Sequence, residues 1–286
     1  MIFVSTTFPP QKKTDLDKVL DNLKKLDIDG IEIGSTHNSD TKKNFKNIIK
    51  NSSFKRVLIH NFFPPHEDKN FVINIASNDN LIRKKSVDCI INNIDFCQEV
   101  NSELYTFHPG FLSESKPSIN FKKNNYDFNF SSDTISLNKA TDNMITSLKK
   151  IVPYSKKKQI KIALETEGSI RKKNYLILQK PIEFDRLFKV FPKNLLINFN
   201  LSHSYFASKV YKFSLRKLIL KLKKKIYCVE LSDNNGIDDQ HLSLKENTRN
   251  LMWIKYFNDI PKILEFRNST ILDIKRSIKI LKNLSK

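Results

Sequence analysis

Short apolar runs alternate along this chain with longer stretches in which apolar residues return every third or fourth position. The runs fall at residues 2–5, 30–33, 57–60, 104–108, 160–165, 195–200, 226–231 and 262–266 and predict eight strands. Between and after them, residues 15–26, 41–51, 80–100, 139–152, 181–191, 206–225, 247–258 and 269–284 carry helical spacing. Strands that alternate with helices imply βα units and parallel pairing, an α/β architecture. Eight such units in 286 residues is the size of a single (β/α)8 TIM barrel occupying residues 1–286. No linker, repeat or low-complexity tract divides the chain. The longest irregular piece, at about residues 111–135 after the fourth strand, is rich in aromatic residues and predicts a lid or rim loop.

Composition narrows the class and leaves the fold unchanged. A hydrophobic content of 39% and a mean hydropathy of -0.44 suit a packed core. No apolar run approaches the roughly 18 to 20 residues that cross a bilayer. The opening "MIFVSTTFPPQKK" has no charged segment ahead of its apolar stretch, so it reads as a first strand and not as a leader. Cys89, Cys97 and Cys228 show no metal or redox spacing, which points to a reducing cytoplasm. The net charge of +20 would attract a polyanion. It is made of 42 Lys and 8 Arg, however, in a chain heavy in Asn, Ile and Phe, all residues with AT-rich codons. Surfaces that read phosphate lean on arginine, whose fork binds it bidentately. The excess therefore reads as compositional drift and argues against specific nucleic-acid binding. With five glycines and no GxGxxG or P-loop, the chain lacks a phosphate-cradling loop.

Candidate chemistry collects at the strand ends. His60, His108, Glu165, Asn200, Glu230 and Glu265 each lie at or near the C-terminal end of an apolar run. In a parallel barrel these ends converge on one mouth, so six groups distant in sequence meet in one pocket. Behind Glu230 the segment "LSDNNGIDDQH" adds Asp233, Asp238, Asp239 and His241, which predicts an acidic wall to the same pocket. Burying three carboxylates together raises their pKa values and costs several kcal/mol through desolvation and like-charge repulsion. A divalent ion removes that cost.

The motifs "DGIEIG", "LIHNFFPP", "VINIAS", "FHPG", "ALETEG", "NLSH", "LSDNNGIDDQH" and "ILEF", in this order, resemble those of the xylose isomerase-like barrels. That superfamily contains sugar and sugar-phosphate isomerases and epimerases together with abasic-site endonucleases. In its single-metal members the ion is held by Glu, Asp, His and Glu, and the resemblance places these on Glu165, Asn200, Glu230 and Glu265. Two positions depart from the pattern: Asn200 stands where the family has aspartate, and Glu230 where it has histidine. The resemblance thus implies one divalent ion in an oxygen-rich site, better suited to Mg²⁺ or Mn²⁺ than to Zn²⁺.

It also implies a metal-dependent isomerase or epimerase of a small sugar or sugar phosphate that moves a proton through an enediolate. Glu165 and Glu265 would be the general base and general acid. His60, His108, His203, Asp239 and His241 would contact substrate. The endonuclease branch uses those same five positions for further metals, so an abasic-site endonuclease is the alternative, with a catalytically drifted barrel as a third class.

Overall fold

The computed structural model describes residues 1–9, 15–34, 37, 44–68, 70–120, 125–168, 175–234 and 239–284. Eight parallel strands close into a barrel: β1 Ile2–Ser5, β2 Gly30–Ile33, β3 Val57–His60, β4 Leu104–Phe107, β7 Lys161–Glu165, β8 Leu196–Asn200, β9 Ile226–Leu231 and β10 Lys262–Leu264, with β1 pairing β10. These are the eight runs of the hydrophobic pattern. The strands are buried on both faces, which is why they read as continuous apolar runs.

The helices α1 Leu16–Leu23, α2 Phe45–Lys50, α3 Asn80–Glu99, α4 Leu137–Lys157, α5 Glu183–Val190, α6 Leu201–Val210, α7 Leu215–Leu222 and α8 Ile271–Leu284 surround the barrel. Three segments differ from the sequence expectation. The single helix expected at 206–225 is two, because Asn200 and Ser214 each cap a separate N-terminus through their side chains. The segment expected at 247–258 winds as a 3₁₀ helix, Arg249–Phe257. The irregular piece at 111–135 contains an antiparallel hairpin, β5 Ser115–Asn120 with β6 Asn125–Phe130. Residues 41–43, the expected start of the second helix, lie outside the described residues.

Strand tilt offsets the register by one residue per strand, so inward side chains stack in layers taken from alternate strands. The strand register places Phe3, Leu58, Ala163 and Cys228 in the lowest of four layers. Above it lie Glu32, Thr106, Asn198 and Ile263, then Ser5, His60, Glu165 and Glu230. Gly34, His108, Asn200 and Glu265 follow at the mouth. The barrel interior is thus apolar at its base, where Phe3, Leu58, Leu104, Ala163, Cys228 and Ile263 pack together, and polar above.

Candidate active site

Six of the anticipated residues, His60, His108, Glu165, Asn200, Glu230 and Glu265, sit on strands or directly beyond them, and period-two alternation turns all of them inward. His203 arrives differently. Asn200 ends β8 and caps α6, its Oδ1 accepting the His203 backbone N–H at 3.1 Å, so the helix begins at the mouth and its third residue faces the site. The Ser202 hydroxyl donates to the Ser232 carbonyl at 2.7 Å and ties this turn to the end of β9. Asp239 and His241 return over the mouth because Asp233 and Leu242 exchange backbone hydrogen bonds of 2.8 and 2.7 Å. His241 adopts φ 47°, a left-handed conformation uncommon for a residue with a side chain. Asp238, named from sequence as part of the same wall, lies outside the described residues.

The result is a continuous arc. Glu165 Oε1 lies 3.1 Å from His203 Nδ1, and His203 Nε2 lies 2.9 Å from Asp239 Oδ2. The same oxygen is 3.0 Å from His241 Nε2, whose Nδ1 is 3.1 Å from Glu265 Oε2. On the other side His108 Nδ1 is 2.6 Å from Glu167 Oε1 and 3.4 Å from Glu165 Oε2. His60 lies 3.8 Å from Glu165 through Nε2, and its Nδ1 is 2.8 Å from the Thr106 hydroxyl.

Asn200 occupies the centre. Its Nδ2 donates to Glu165 Oε1 and to Glu230 Oε2, each at 3.0 Å, while its oxygen is committed to the helix cap. The sequence reading offered that amide as an oxygen ligand for a metal; the structure instead turns its N–H groups to the carboxylates. A flip of the amide would set its oxygen against two carboxylates and its nitrogen against a backbone N–H, so both contacts enforce one orientation.

Sequence reasoning passed over four further groups. Glu32 is fully buried in β2, and neither of its oxygens has a hydrogen bond of good geometry among the described residues. It escaped notice because β2 ends in Ile33, not in a polar residue; the alternation Gly30, Glu32, Gly34 was the available signal. Asn198 donates to Glu230 at 2.5 Å, Thr106 holds His60, and Glu167 holds His108.

These contacts set the charges. Burial opposes ionisation of Glu165, but His108, His203 and His60 hold its pKa well below the ordinary carboxylate range. Glu265 is likewise drawn down against burial, by His241, to about 2. Burial works against charge on His108 and His241, yet Glu165 and Glu167 lift the first to about 9, while Asp239 and Glu265, against Arg267, lift the second to about 9. Glu230 and Glu32 go the other way. Burial first, then the neighbouring carboxylates, pushes both well above the usual range.

Among the described residues, three groups bring metal-ligand atoms within 4.8 Å of one another: His60, His108 and Glu165; His203, Asp239 and His241; and Glu32, His60 and Glu230. Of the carboxylates that the resemblance assigns to one ion, Glu165 falls in the first group, Glu230 in the third and Glu265 in none. Among the described residues the buried Glu165 Oε2 faces His108 and His60 but has no hydrogen bond of good geometry, so the mouth has a carboxylate oxygen that could serve a cation.

From residue 20 to residue 283 the sequence matches the xylose isomerase-like TIM barrel family. The chain belongs to that family. Among similar xylose isomerase-like structures is a D-tagatose 3-epimerase-like protein, 22% identical with a TM-score of 0.71, the alignment covering 99% of this chain and 96% of that one. Another is D-psicose 3-epimerase from Clostridium cellulolyticum H10, solved with D-tagatose, 11% identical with a TM-score of 0.72 over 100% and 99% of the two chains. By sequence, the uncharacterized protein MJ1311 of Methanocaldococcus jannaschii is 28% identical over 215 residues, 73% of this chain and 66% of that relative. At these identities the structural likeness speaks to the fold. Among the described residues no helix is long and apolar enough to cross a membrane, and the buried Cys89, Cys97 and Cys228 form no disulfide.

Proposed function

We propose that this chain is a metal-dependent isomerase or epimerase of a small sugar or sugar phosphate, working by proton transfer through an enediolate. One observation carries the reading: the mouth holds two carboxylates kept ionised by imidazoles, Glu165 by His108, His203 and His60, and Glu265 by His241. An unprotonated carboxylate is the state from which a general base starts. The structural relatives named as a D-tagatose 3-epimerase-like protein and a D-psicose 3-epimerase support a ketose as substrate.

In this reading Glu165 removes the proton from the carbon beside the sugar carbonyl. Glu265 returns a proton to the opposite face, drawing it from His241, whose Nδ1 lies 3.1 Å away. His108 and His203 donate to substrate oxygens, His60 and Asp239 contact the bound sugar, and His241 and Asp239 close the loop over it. The residues that would hold a divalent ion here are Glu165, Glu230 and Glu265, with Asn200 binding the first two through its amide N–H groups instead of joining the ligands. An oxygen-rich set of this kind suits Mg²⁺ or Mn²⁺ more than Zn²⁺. Such an ion polarises a carbonyl and its adjacent hydroxyl and so acidifies the C–H between them.

The test is solvent deuterium incorporation next to the carbonyl of a panel of ketoses and their phosphates, with Mg²⁺ or Mn²⁺ supplied. Incorporation by the parent, reduced at least about a hundredfold in Glu165→Gln, is the expected result. Exchange at the parent rate in the variant removes Glu165 as the base.

A second reading, an abasic-site endonuclease, is favoured by two of these groups, His60, His108 and Glu165, and His203, Asp239 and His241. Against it, cleavage by several cations needs charged bridging ligands, and the position where the family resemblance implies an aspartate ligand is the neutral Asn200, which donates N–H groups to Glu165 and Glu230. No incision of a duplex with one abasic site is expected with Zn²⁺ or Mn²⁺. Turnover that is lost in Glu165→Gln reverses the choice.

A further inference from the structure

Among the described residues, the acids of the arc at the mouth each have a donor or cation beside them. Glu165 has His203 and Asn200, Glu265 has His241, Asp239 has both of those histidines, and Glu167 has His108. Glu32 does not share in this. It lies in the second layer of the barrel, one layer beneath His60, Glu165 and Glu230 and two beneath Glu265. It is fully buried, with both oxygens lacking a hydrogen bond of good geometry; only the Ser5 hydroxyl, its register partner on β1, eases the burial in part. A buried carboxylate in that condition is costly unless something neutralises it.

The neighbours supply a shape for that something. A Glu32 oxygen, a Glu230 oxygen and a ring nitrogen of His60 all lie within 4.8 Å of one another, and all three residues are buried. Opposite ligands of an ion bound at about 2.0–2.4 Å stand about 4–5 Å apart, so the three atoms fit around one cation. We propose that a divalent cation of the Mg²⁺ or Mn²⁺ class binds at this floor site, held by Glu32, Glu230 and His60. The site lies beneath the one proposed at the mouth: it uses none of Glu165, Asn200 and Glu265, and it shares Glu230 with those ligands and His60 with the residues proposed to contact the sugar. Its two carboxylates explain why a glutamate is useful at position 230, because its second oxygen can serve the deeper ion while the first faces the mouth. The proposal does not rest on the sugar reading, since it concerns a cation alone.

The experiment is Mn²⁺ titration of the metal-stripped full chain, counting bound ions from the free Mn²⁺ signal in electron paramagnetic resonance, for the parent, Glu32→Gln and Glu265→Gln. Thermal unfolding of the same samples with and without Mn²⁺ controls for folding. The expected result is one Mn²⁺ fewer in Glu32→Gln than in the parent, with a metal-free melting temperature no lower than the parent's and a smaller rise on adding Mn²⁺. Glu265→Gln should keep the ion that Glu32→Gln loses. A Glu32→Gln chain that binds as many ions at unchanged affinity overturns the floor site and leaves Glu32 a protonated buried acid. Binding that depends on Glu265 but not on Glu32 overturns it while leaving the proposed function standing. A single ion lost only in Glu32→Gln upholds the floor site and removes the mouth ion. A parent that binds none overturns both.

Discussion

Asn200 and Glu230 face each other across β8 and β9 as register partners, and the Asn200 amide donates to the Glu230 carboxylate at 3.0 Å. The same nitrogen reaches Glu165 at 3.0 Å, so one neutral side chain does for two acids what an aspartate at that position would leave to a metal.

Asn200→Asp should therefore lower the stability of the metal-free protein. The variant keeps the α6 cap but replaces two donated hydrogen bonds with a third buried negative charge, which costs roughly 3–5 kcal/mol. A divalent ion offsets that charge, so Mn²⁺ should bind more tightly and raise the melting temperature further than in the parent. Thermal unfolding with and without Mn²⁺ checks both parts; a variant as stable as the parent without metal contradicts the assigned amide orientation.

Glu167→Gln tests a residue that sequence reading did not single out. His108 is lifted to about 9 against its burial by Glu165 and by Glu167, which lies 2.6 Å away. The neutral isostere keeps a hydrogen-bond partner and removes one charge. The His108 titration, followed by NMR of the ring protons, should move downward while the melting temperature at pH 7 changes little.

The pH dependence follows from the imidazoles. His108 and His241 have folded values of about 9, raised from 6.5, so the stability they contribute is fully present below about pH 6.5 and is lost as the pH rises through about 9. Glu265 is depressed to about 2 from 4.5, so its contribution is present above about pH 4.5 and is lost as the pH falls towards 2. Glu230 and Glu32, pushed well above the usual range, add a loss of stability as the pH rises above about 4.5. The urea midpoint of the metal-free protein should therefore be highest near pH 5 and fall on both sides; a midpoint that rises from pH 7 to pH 9.5 would contradict these assignments.

Gly168→Ala should disturb the site through packing alone. A Cβ at position 168 would lie 1.8 Å from the His203 carbonyl oxygen, and a backbone atom in α6 cannot swing aside as a side chain does. The expected loss is about 1–3 kcal/mol, with deuterium exchange on any active ketose falling as His203 is displaced from Glu165.

The hydrophobic pattern by itself determined the barrel. Eight apolar runs separated by helical spacing leave few other ways to bury strands on both faces, and strand-end position was enough to bring His60, His108, Glu165, Glu230 and Glu265 into one mouth. It could not determine which atom of Asn200 faces which neighbour, because a cap and a ligand demand the same residue type and differ only in orientation. Nor could it select Glu32. Its place depends on a register that shifts by one residue at each strand around the closed barrel, and that offset exists only once β1 has paired with β10. The arc from Glu165 through His203, Asp239 and His241 to Glu265 belongs to the same category: it spans 100 residues of chain, and only the closing of the barrel and the return of the loop at Asp233 and Leu242 bring its members within hydrogen-bond distance.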